Sequence, residues 1–327
     1  MKPFQHISAQ TVEGAISILN DYKGRAKIIA GGTDILGILK EQILPEYPQA
    51  LLNIKMLTSL DYMREDKDGL KIGALTRLAD IVDNPIVNNR YQVLSQAAKT
   101  VANPQVRNMG TVGGNLAQEI RCWYYRYPHQ LGGRIMCLRK GNGPCAAIKG
   151  DNRYHAIMEA KKCFAVCPSD TAVALSALGA TIEIRGPQSE RTVPVAAFYQ
   201  PLGNALKDDE ILTEIQVPKP PDSARQEYVK FSLRKPVDFG IISVAAVIET
   251  TDGVCHELSI ALGGVAYSPL RANQAEQVAR GKAIDEATAN SVAEAAVAGA
   301  KPLSMNAYKV EIVKTLVKRI LLSGNSK

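Results

Sequence analysis

Long apolar runs are absent from this sequence of 327 residues. No stretch reaches the roughly 18 consecutive apolar residues of a membrane-spanning helix, which excludes such a span. Runs of five or six like charges are also missing, although 39 Lys and Arg outnumber 32 Asp and Glu. The sequence therefore gives no sign of a nucleic-acid-binding tail. The N-terminal segment lacks a basic stretch followed by an apolar one, so no secretory signal is predicted and we expect a cytoplasmic protein.

Aromatic residues are few, at 6%, with a single tryptophan, Trp123. Hydrophobic residues nevertheless make up 46% of the chain and charged residues 22%. This balance is typical of a globular protein with a sizeable core and argues against overall disorder. At roughly 150 residues per domain, the length indicates two or three domains.

Apolar spacing predicts a mixture of helices and strands. Strand-like patterns cover residues 27–30, 50–54, 70–74, 180–185, 226–233, 241–249 and 257–262. Helical patterns cover residues 11–19, 35–40, 78–82, 91–98, 171–178, 283–300 and 307–322. The segment 217–223 has three prolines within four residues, which neither a helix nor a central strand can accommodate. It is the best candidate for an interdomain linker, and the last three strands would form an antiparallel sheet beyond it.

Two glycine-rich segments are candidates for phosphate binding. Gly31-Gly32-Thr33-Asp34 lies between a predicted strand and a predicted helix, and a second loop spans Thr111 to Asn115. Glycine lets the backbone approach a ligand closely, and free N–H groups at a helix start bind phosphate. The glycine spacing is not that of the Rossmann fingerprint. A single Gly-Gly turn could also be an ordinary turn that binds no ligand. Two such segments indicate a long dinucleotide held from two sides.

Cysteines are unevenly distributed. Five of the six fall within 46 residues, at Cys122, Cys137, Cys145, Cys163 and Cys167. Cytosolic thiols are kept reduced, so the cluster points to metal or redox chemistry before structural disulfides. No C-x-x-C pair is present, and the residues alone leave open a metal centre, unconnected buried thiols or a regulatory disulfide. The surrounding segment has little apolar periodicity and is predicted to be an insertion. It cannot form a hydrophobic core of its own, so another interaction must stabilise it.

The strand–AGGTD–helix turn, followed about eighty residues later by TVGGN, resembles the FAD-binding subunit of the molybdenum hydroxylase family. That family includes xanthine dehydrogenases, carbon monoxide dehydrogenase, aldehyde oxidoreductases and 4-hydroxybenzoyl-CoA reductase. The resemblance extends over nearly the whole chain, because EYVKFSLRK and the following Asp238-Phe239 resemble the family's C-terminal domain. It implies an α+β fold in which two α/β subdomains clasp FAD, followed by a three-stranded antiparallel sheet with a helical bundle. The implied domains are residues 1–219, with a cysteine-rich insertion at 119–168, and residues 220–327.

The resemblance also implies a set of FAD contacts. They are Ile28, Ile29, Ala30, Gly31, Gly32, Thr33, Asp34, Ile35, Val101, Thr111, Gly113, Gly114, Asn115, Gln118, Asp170, Leu212 and Lys230. Flavin redox chemistry belongs to the cofactor, which the protein places and tunes, so no catalytic acid or base is expected.

Family members with such an insertion resemble the 4-hydroxybenzoyl-CoA reductase and periplasmic aldehyde oxidoreductase flavin subunits, where it carries a [4Fe–4S] cluster. The cluster ligands implied here are Cys122, Cys137, Cys145 and Cys163. Cys167 competes with Cys163 for the fourth place, and Cys255, expected in a turn, is a bystander. His155 could hydrogen-bond near a cluster sulfur, with a purely structural role as the alternative. Trp123 and Tyr124 could shield the cluster or simply be core aromatics.

The function implied by the resemblance is electron transfer within a heterotrimer. A large molybdopterin subunit would bind substrate, a small subunit would carry two [2Fe–2S] clusters, and NAD, ferredoxin or a quinone would be the external carrier. An aldehyde oxidoreductase is favoured, with a 4-hydroxybenzoyl-CoA reductase or a xanthine or N-heterocycle dehydrogenase as alternatives. A self-contained flavoenzyme and a zinc-stabilised nucleotide-binding protein without a redox role are the competing classes. The periplasm is the alternative location if a partner carries an export signal.

Overall fold

The chain folds into two α/β subdomains followed by a C-terminal sheet with helices, as the computed structural model of residues 1–133, 135–235 and 237–325 shows. No helix in these ranges combines the length and apolar character that crossing a membrane would need. The α+β class and the order of the three units are those expected from the sequence.

The first subdomain is a three-stranded parallel sheet with two helices. Its elements are β1 (Gln5–Ser8), α1 (Val12–Tyr22), β2 (Ala26–Ile29), α2 (Ile35–Lys40) and β3 (Ala50–Asn53), with strand order β1-β3-β2. Helix α1 begins after Thr11, whose hydroxyl accepts a hydrogen bond from the Gly14 amide at 3.0 Å. Its apolar face, from Val12 to Leu19, is buried against the sheet. This packing places the turn between β2 and α2 at the edge of the sheet.

The second subdomain is built on a five-stranded antiparallel sheet of order β4-β5-β10-β6-β7. Its strands are β4 (Met63–Asp66), β5 (Gly69–Gly73), β6 (Thr181–Arg185), β7 (Glu190–Pro194) and β10 (Ile211–Pro218), with the small hairpin β8 (Tyr199–Gln200) and β9 (Gly203–Asn204). Its helices are α3 (Leu78–Asp83), α4 (Pro85–Arg90), α5 (Gln92–Lys99), α6 (Pro104–Arg107), α7 (Val112–Ala117), α8 (Asp170–Ala177) and α9 (Val195–Phe198). Every residue of α8 is buried, because α8 packs between α5 and the C-terminal sheet.

The C-terminal unit is an antiparallel sheet of order β11-β12-β13-β14 covered by helices. Its elements are β11 (Arg225–Phe231), β12 (Ile242–Thr251), β13 (Val254–Gly263), β14 (Leu270–Arg271), α10 (Asn273–Ala279), α11 (Glu286–Ala296) and α12 (Tyr308–Leu322). The three expected strands are present. The fourth, β14, has only two residues and is too short to give a periodic pattern in the sequence.

Three local expectations are corrected. The second glycine segment is not a loop but the first turn of α7, because the Thr111 hydroxyl accepts from the Gly114 amide at 3.2 Å and caps the helix. The expected linker starts later, since Val217 and Pro218 end β10 and pair with Leu70 and Gly69 of β5. Cys255 lies buried within β13 rather than in a turn.

The insertion, residues 119–168, has little regular structure. Short 3₁₀ turns occur at His129–Leu131, Leu138–Lys140 and Ala146–Ile148. A β-bridge between Arg121 and Val166 closes its base. Its second half is held by the C-terminal domain, where the Lys309 ammonium donates to the His155 and Gly264 carbonyls. Ile157 and Met158 are also buried in the C-terminal core, so polar and apolar contacts to its neighbours together order a segment that has no core of its own.

Candidate functional site

A cleft of about 290 Å³ opens between the two α/β subdomains. Twelve of the residues expected to contact FAD line it: Ile28, Ala30, Gly31, Gly32, Thr33, Asp34, Ile35, Thr111, Gly113, Gly114, Gln118 and Leu212. Both glycine segments thus face one cavity, although about eighty residues separate them in the chain. Backbone amides and threonine hydroxyls at such a cleft are suitable donors for a dinucleotide diphosphate, so the residues present fit FAD.

Close packing explains why glycine stands at the contact between the two segments. A Cβ on Gly31 would lie 1.9 Å from the Met109 carbonyl oxygen, which no side chain could tolerate. A Cβ on Gly113 would approach the Ala74 Cβ to 2.9 Å. Gly32 has φ of +74°, a left-handed conformation in which other residues are strained. The glycines therefore let the two segments meet at the cleft floor.

Asp34, the last residue of the first glycine turn, ties the cleft to the insertion. Its carboxylate accepts from Arg121 at 2.8 Å, from Arg126 at 2.9 Å and from the Glu119 amide at 2.9 Å. Burial alone would raise the pKa of Asp34, but the two guanidinium groups outweigh it and hold the pKa below its usual value. Because these bonds occupy the carboxylate, it does not cap α2. The side chain is thus an ionised anchor for the insertion.

The other five expected contacts do not line this cleft: Ile29, Val101, Asn115, Asp170 and Lys230. Ile29 is buried on the far side of β2. Asn115 accepts hydrogen bonds from the Ser169 and Thr171 hydroxyls, both at 2.6 Å.

Asp170 and Lys230 form a buried ion pair of 2.7 Å between α8 and β11. The ammonium of Lys230 also donates to the Thr100 carbonyl at 2.9 Å, next to Val101, and the Tyr228 hydroxyl donates to Asp170 at 2.6 Å. Burial raises the pKa of Asp170, and Lys230 acts against that rise. These residues form a second polar group, at the junction with the C-terminal domain, and their role in FAD binding stays a prediction.

Sequence reasoning missed part of the cleft wall. Asn204 of β9 lines it, together with Leu206, Lys207 and Asp208 from the segment between β9 and β10. The buried Glu210 fixes this segment by accepting from the Lys207 amide at 2.8 Å and pairing with Arg191 at 2.7 Å. The segment carries no motif, so only the pairing of β10 with β5 and β6 brings it to the cleft.

The four cysteines expected to bind a cluster, Cys122, Cys137, Cys145 and Cys163, line one small cavity within the insertion. Its apolar wall includes Ile120, Leu138 and Ala165, and the insertion packs here against the buried face of α2. Cys167 lies elsewhere, fully buried in the core of the second subdomain. The fold thus separates the two cysteines that competed for the fourth place.

Two side chains approach the sulfurs of this cavity. The Nε2 atom of His155 lies 3.2 Å from the Cys122 sulfur, and the Nε atom of Arg139 donates to the Cys163 sulfur at 3.4 Å. Burial, together with the nearby Lys309 ammonium, lowers the pKa of His155 to about 4. Burial raises the pKa of the Cys122 thiol to about 11, so metal binding there would release a proton.

The two aromatic residues that follow Cys122, Trp123 and Tyr124, line two different cavities. Tyr124 lines the cysteine cavity, whereas Trp123 lines a neighbouring groove and lies edge-on to the His155 ring at 5.5 Å. Both side chains donate to the Asp151 carbonyl at 3.1 Å.

Within the described ranges, no three His, Cys, Asp or Glu side chains converge closely enough to hold one metal ion. A zinc site would need four ligand atoms about 2.0–2.3 Å from a single centre. An iron–sulfur cube binds each cysteine at a separate iron, so its ligands stand further apart around a common cavity. Among the described residues, the four thiols line one apolar-walled cavity without converging on a single point.

Comparisons with known proteins agree with the FAD cleft between the two α/β subdomains. Residues 2–220 match the family described as "FAD binding domain in molybdopterin dehydrogenase", and residues 227–323 match "CO dehydrogenase flavoprotein C-terminal domain". The aldehyde oxidoreductase FAD-binding subunit PaoB of Escherichia coli is 34% identical, over 98% of this chain and 94% of that protein. The carbon monoxide dehydrogenase medium chain of Hydrogenophaga pseudoflava is 28% identical, over 97% and 96%.

Solved structures show the same fold. A carbon monoxide dehydrogenase from Hydrogenophaga pseudoflava superimposes with a TM-score of 0.77 at 28% identity, covering 98% of this chain and 96% of that one. Quinoline 2-oxidoreductase from Pseudomonas putida gives a TM-score of 0.77 at 25% identity, covering 99% and 98%. With two matched domains over nearly its whole length and a glycine-lined cleft between its subdomains, this chain belongs to the family of FAD-binding subunits of the molybdenum hydroxylases.

Proposed function

We propose that the chain is an FAD- and [4Fe–4S]-containing electron-transfer subunit of a heterotrimeric molybdenum hydroxylase. The observation that carries the cluster assignment is the single cavity lined by Cys122, Cys137, Cys145 and Cys163. These residues come from four separate parts of an irregular segment, and the fold sends Cys167 into another core. We therefore assign Cys163 as the fourth ligand. The domain division at residues 219 and 220 is part of the same proposal.

The position of α2 supports electron exchange between the two cofactors. The first turn of α2 borders the FAD cleft, and its Ile38 lines that cleft. Ile38 also belongs to the apolar cluster against which Cys122, Cys137 and Cys163 pack. One helix therefore separates the two cofactor sites. FAD, when bound, supplies two-electron chemistry and can pass electrons singly to an iron–sulfur centre.

The residues of this chain would bind the two cofactors and fix their positions. The first glycine segment would supply backbone donors for the diphosphate. In the second segment the amides of residues 112–115 already donate to acceptors within the fold, so its glycines would serve close approach of the backbone instead. Asp34 holds the insertion against the cleft through Arg121 and Arg126. The apolar side chains around the cysteines limit the access of water to the cluster, which is one determinant of its potential. The Asp170–Lys230 pair joins α8 to β11 of the C-terminal domain.

The relatives, which are subunits of multi-subunit enzymes, support the proposed composition of the complex. A large molybdopterin subunit would convert the substrate, and a small subunit with two [2Fe–2S] clusters would deliver electrons to FAD. The [4Fe–4S] cluster would then pass them to an external carrier such as NAD, ferredoxin or a quinone. The 34% identity to an aldehyde oxidoreductase subunit favours an aldehyde as the substrate of the complex. Nicotinate and xanthine dehydrogenase FAD subunits, each 26% identical, represent the N-heterocycle alternative.

The test is the cofactor content of the full chain, purified without oxygen together with its complex. We expect one releasable FAD, about eight irons and about eight acid-labile sulfides per heterotrimer, of which the two [2Fe–2S] clusters of the small subunit account for about four of each. Zinc in place of iron would overturn the cluster assignment. So would a complex that contains FAD but no more iron than its small subunit contains when isolated. A folded chain without FAD would contradict the flavin role itself.

A further inference from the structure

We propose that His155 donates a hydrogen bond from Nε2 to the sulfur of Cys122 and thereby raises the reduction potential of the cluster. The inference rests on the [4Fe–4S] cluster proposed above. It names a residue of this chain that influences the reduction potential of that cluster. His155 would act through Cys122, as a residue that tunes the cluster rather than one that binds iron.

The chemistry of a metal-bound thiolate fixes the direction of donation. The two atoms, Nε2 and Sγ, are 3.2 Å apart. A metal-bound thiolate has no proton to give, so the ring nitrogen must be the donor. The other ring nitrogen, Nδ1, is buried and has no hydrogen-bond partner among the described atoms. The tautomer with its proton on Nε2 leaves an unpaired acceptor at Nδ1, which costs less than a buried unpaired N–H.

The backbone of His155 is held from several sides, and its ring lies edge-on against Trp123. His155 is only 2% exposed, and its amide donates to the Asn152 carbonyl at 3.0 Å. Its carbonyl accepts from the Lys309 ammonium at 2.9 Å and from the Asn306 side chain at 3.1 Å. Both of these donors lie at the start of α12 in the C-terminal domain. The donor is thus oriented before any cluster is bound, and little side-chain entropy is lost on forming the bond.

The sign of the effect follows from charge. Reducing the cluster adds an electron to a group already surrounded by anionic thiolates. An N–H donor at a thiolate stabilises the more negative, reduced state, and low local polarity strengthens the bond. Arg139 makes a second such contact, at 3.4 Å to Cys163, from a less buried position. Removing the Arg139 side chain should therefore lower the reduction potential of the cluster, as removing His155 should.

The first experiment is a potentiometric titration of the full chain, with the EPR signal of the reduced cluster as readout. Changing His155→Leu removes the donor, and at a fixed solution potential we expect the ratio of reduced to oxidised cluster to fall several-fold. His155→Gln keeps an N–H donor and should restore part of the ratio. The control is Tyr308→Phe, which removes a bond to the Arg153 carbonyl in the same loop but none to sulfur. An unchanged ratio in the leucine variant with full iron content would overturn the inference.

A second experiment needs no substitution. The chain has four histidines, His6, His129, His155 and His256, and of these His155 is the one in contact with a cavity cysteine in the described structure. Wild-type protein grown with ¹⁵N-histidine should show a ¹⁵N coupling to the reduced cluster by pulsed EPR, together with an exchangeable proton. A cluster lacking both couplings would refute the hydrogen bond even if the leucine variant failed to fold. Wild-type chain without iron would instead refute the proposed function, so the two failures are distinguishable.

Discussion

Asp34 and Arg126 are joined by an ion pair of 2.9 Å that connects the FAD cleft to the cysteine-bearing insertion. Asp34 ends the first glycine turn, and Arg126 follows the first cavity cysteine, Cys122, by four residues. Arg121 makes a second contact to the same carboxylate at 2.8 Å. Both arginines are mostly buried, so the pairing needs Asp34 to stay ionised. One carboxylate thereby couples the positions of two proposed cofactor sites.

Replacing Asp34→Asn should loosen this connection. The substitution leaves two mostly buried guanidinium groups without their counter-charge, and we expect the free energy of unfolding to fall by about 1–3 kcal/mol. Urea unfolding followed by circular dichroism measures the loss. The matched control is Asp80→Asn, because Asp80 pairs with Arg77 on the exposed surface and should contribute at most about 1 kcal/mol. Equal losses in the two variants would contradict the anchoring role.

Gly31→Ala should abolish or strongly weaken FAD retention. The added methyl group would overlap the Met109 carbonyl at 1.9 Å, so the two glycine segments could not keep their present contact. The ratio of flavin absorbance to protein after gel filtration reports the effect. Gly37→Ala is the control, since its Cβ meets nothing within 4 Å and alanine favours the helix. Full flavin content in the Gly31 variant would show that the cleft tolerates a wider spacing.

Cys163→Ser and Cys167→Ser should differ in iron content. The first removes a thiol from the cluster cavity, and the second changes a buried thiol in a separate core. We expect loss of most of the cluster iron and its visible absorbance in the first variant. The second should keep its iron and lose only some thermal stability, because a polar hydroxyl then replaces a buried thiol. The reverse result would make Cys167 the fourth ligand.

Lys309→Met should release the second half of the insertion from the C-terminal domain. The ammonium donates to the carbonyls of Tyr154, His155 and Gly264, and methionine would remove all three hydrogen bonds. We expect a loss of about 1–3 kcal/mol in the free energy of unfolding and faster proteolysis within residues 119–168. Lys314→Met serves as the control, because Lys314 pairs only with exposed carboxylates.

The stability that Lys309 contributes should also depend on pH. Burial lowers the pKa of Lys309 to about 7, below its ordinary value of 10.5. The unfolded chain therefore binds more protons than the folded chain between these two values, and stability rises with pH across that window. The stability difference between wild type and Lys309→Met should widen from pH 7 to about pH 9. A difference that stays constant or narrows would contradict the lowered pKa.

Much of the architecture was accessible from local patterns. The apolar spacing of residues 11–19 and the strand-like pattern of residues 180–185 each concern neighbouring residues, and the structure confirms both, as α1 and β6. Short elements were not predicted, because they contain too few residues to give a local pattern. Strand β14 has two residues, and α7 contains two glycines that suggest a loop until Thr111 caps it. The central strand β10 was also missed, since its partners β5 and β6 are distant in the chain.

The sequence by itself determined the family, the presence of two glycine segments and the density of cysteines in one segment, because these depend on residue identity and short spacing. Only the tertiary structure decided which cysteines share a cavity, since Cys163 and Cys167 are four residues apart yet pack into different cores. It also decided that Asp34 pairs with Arg121 and Arg126 and that His155 reaches Cys122. These contacts join residues 33 to 92 positions apart, and their formation depends on packing between whole subdomains, which no local pattern encodes.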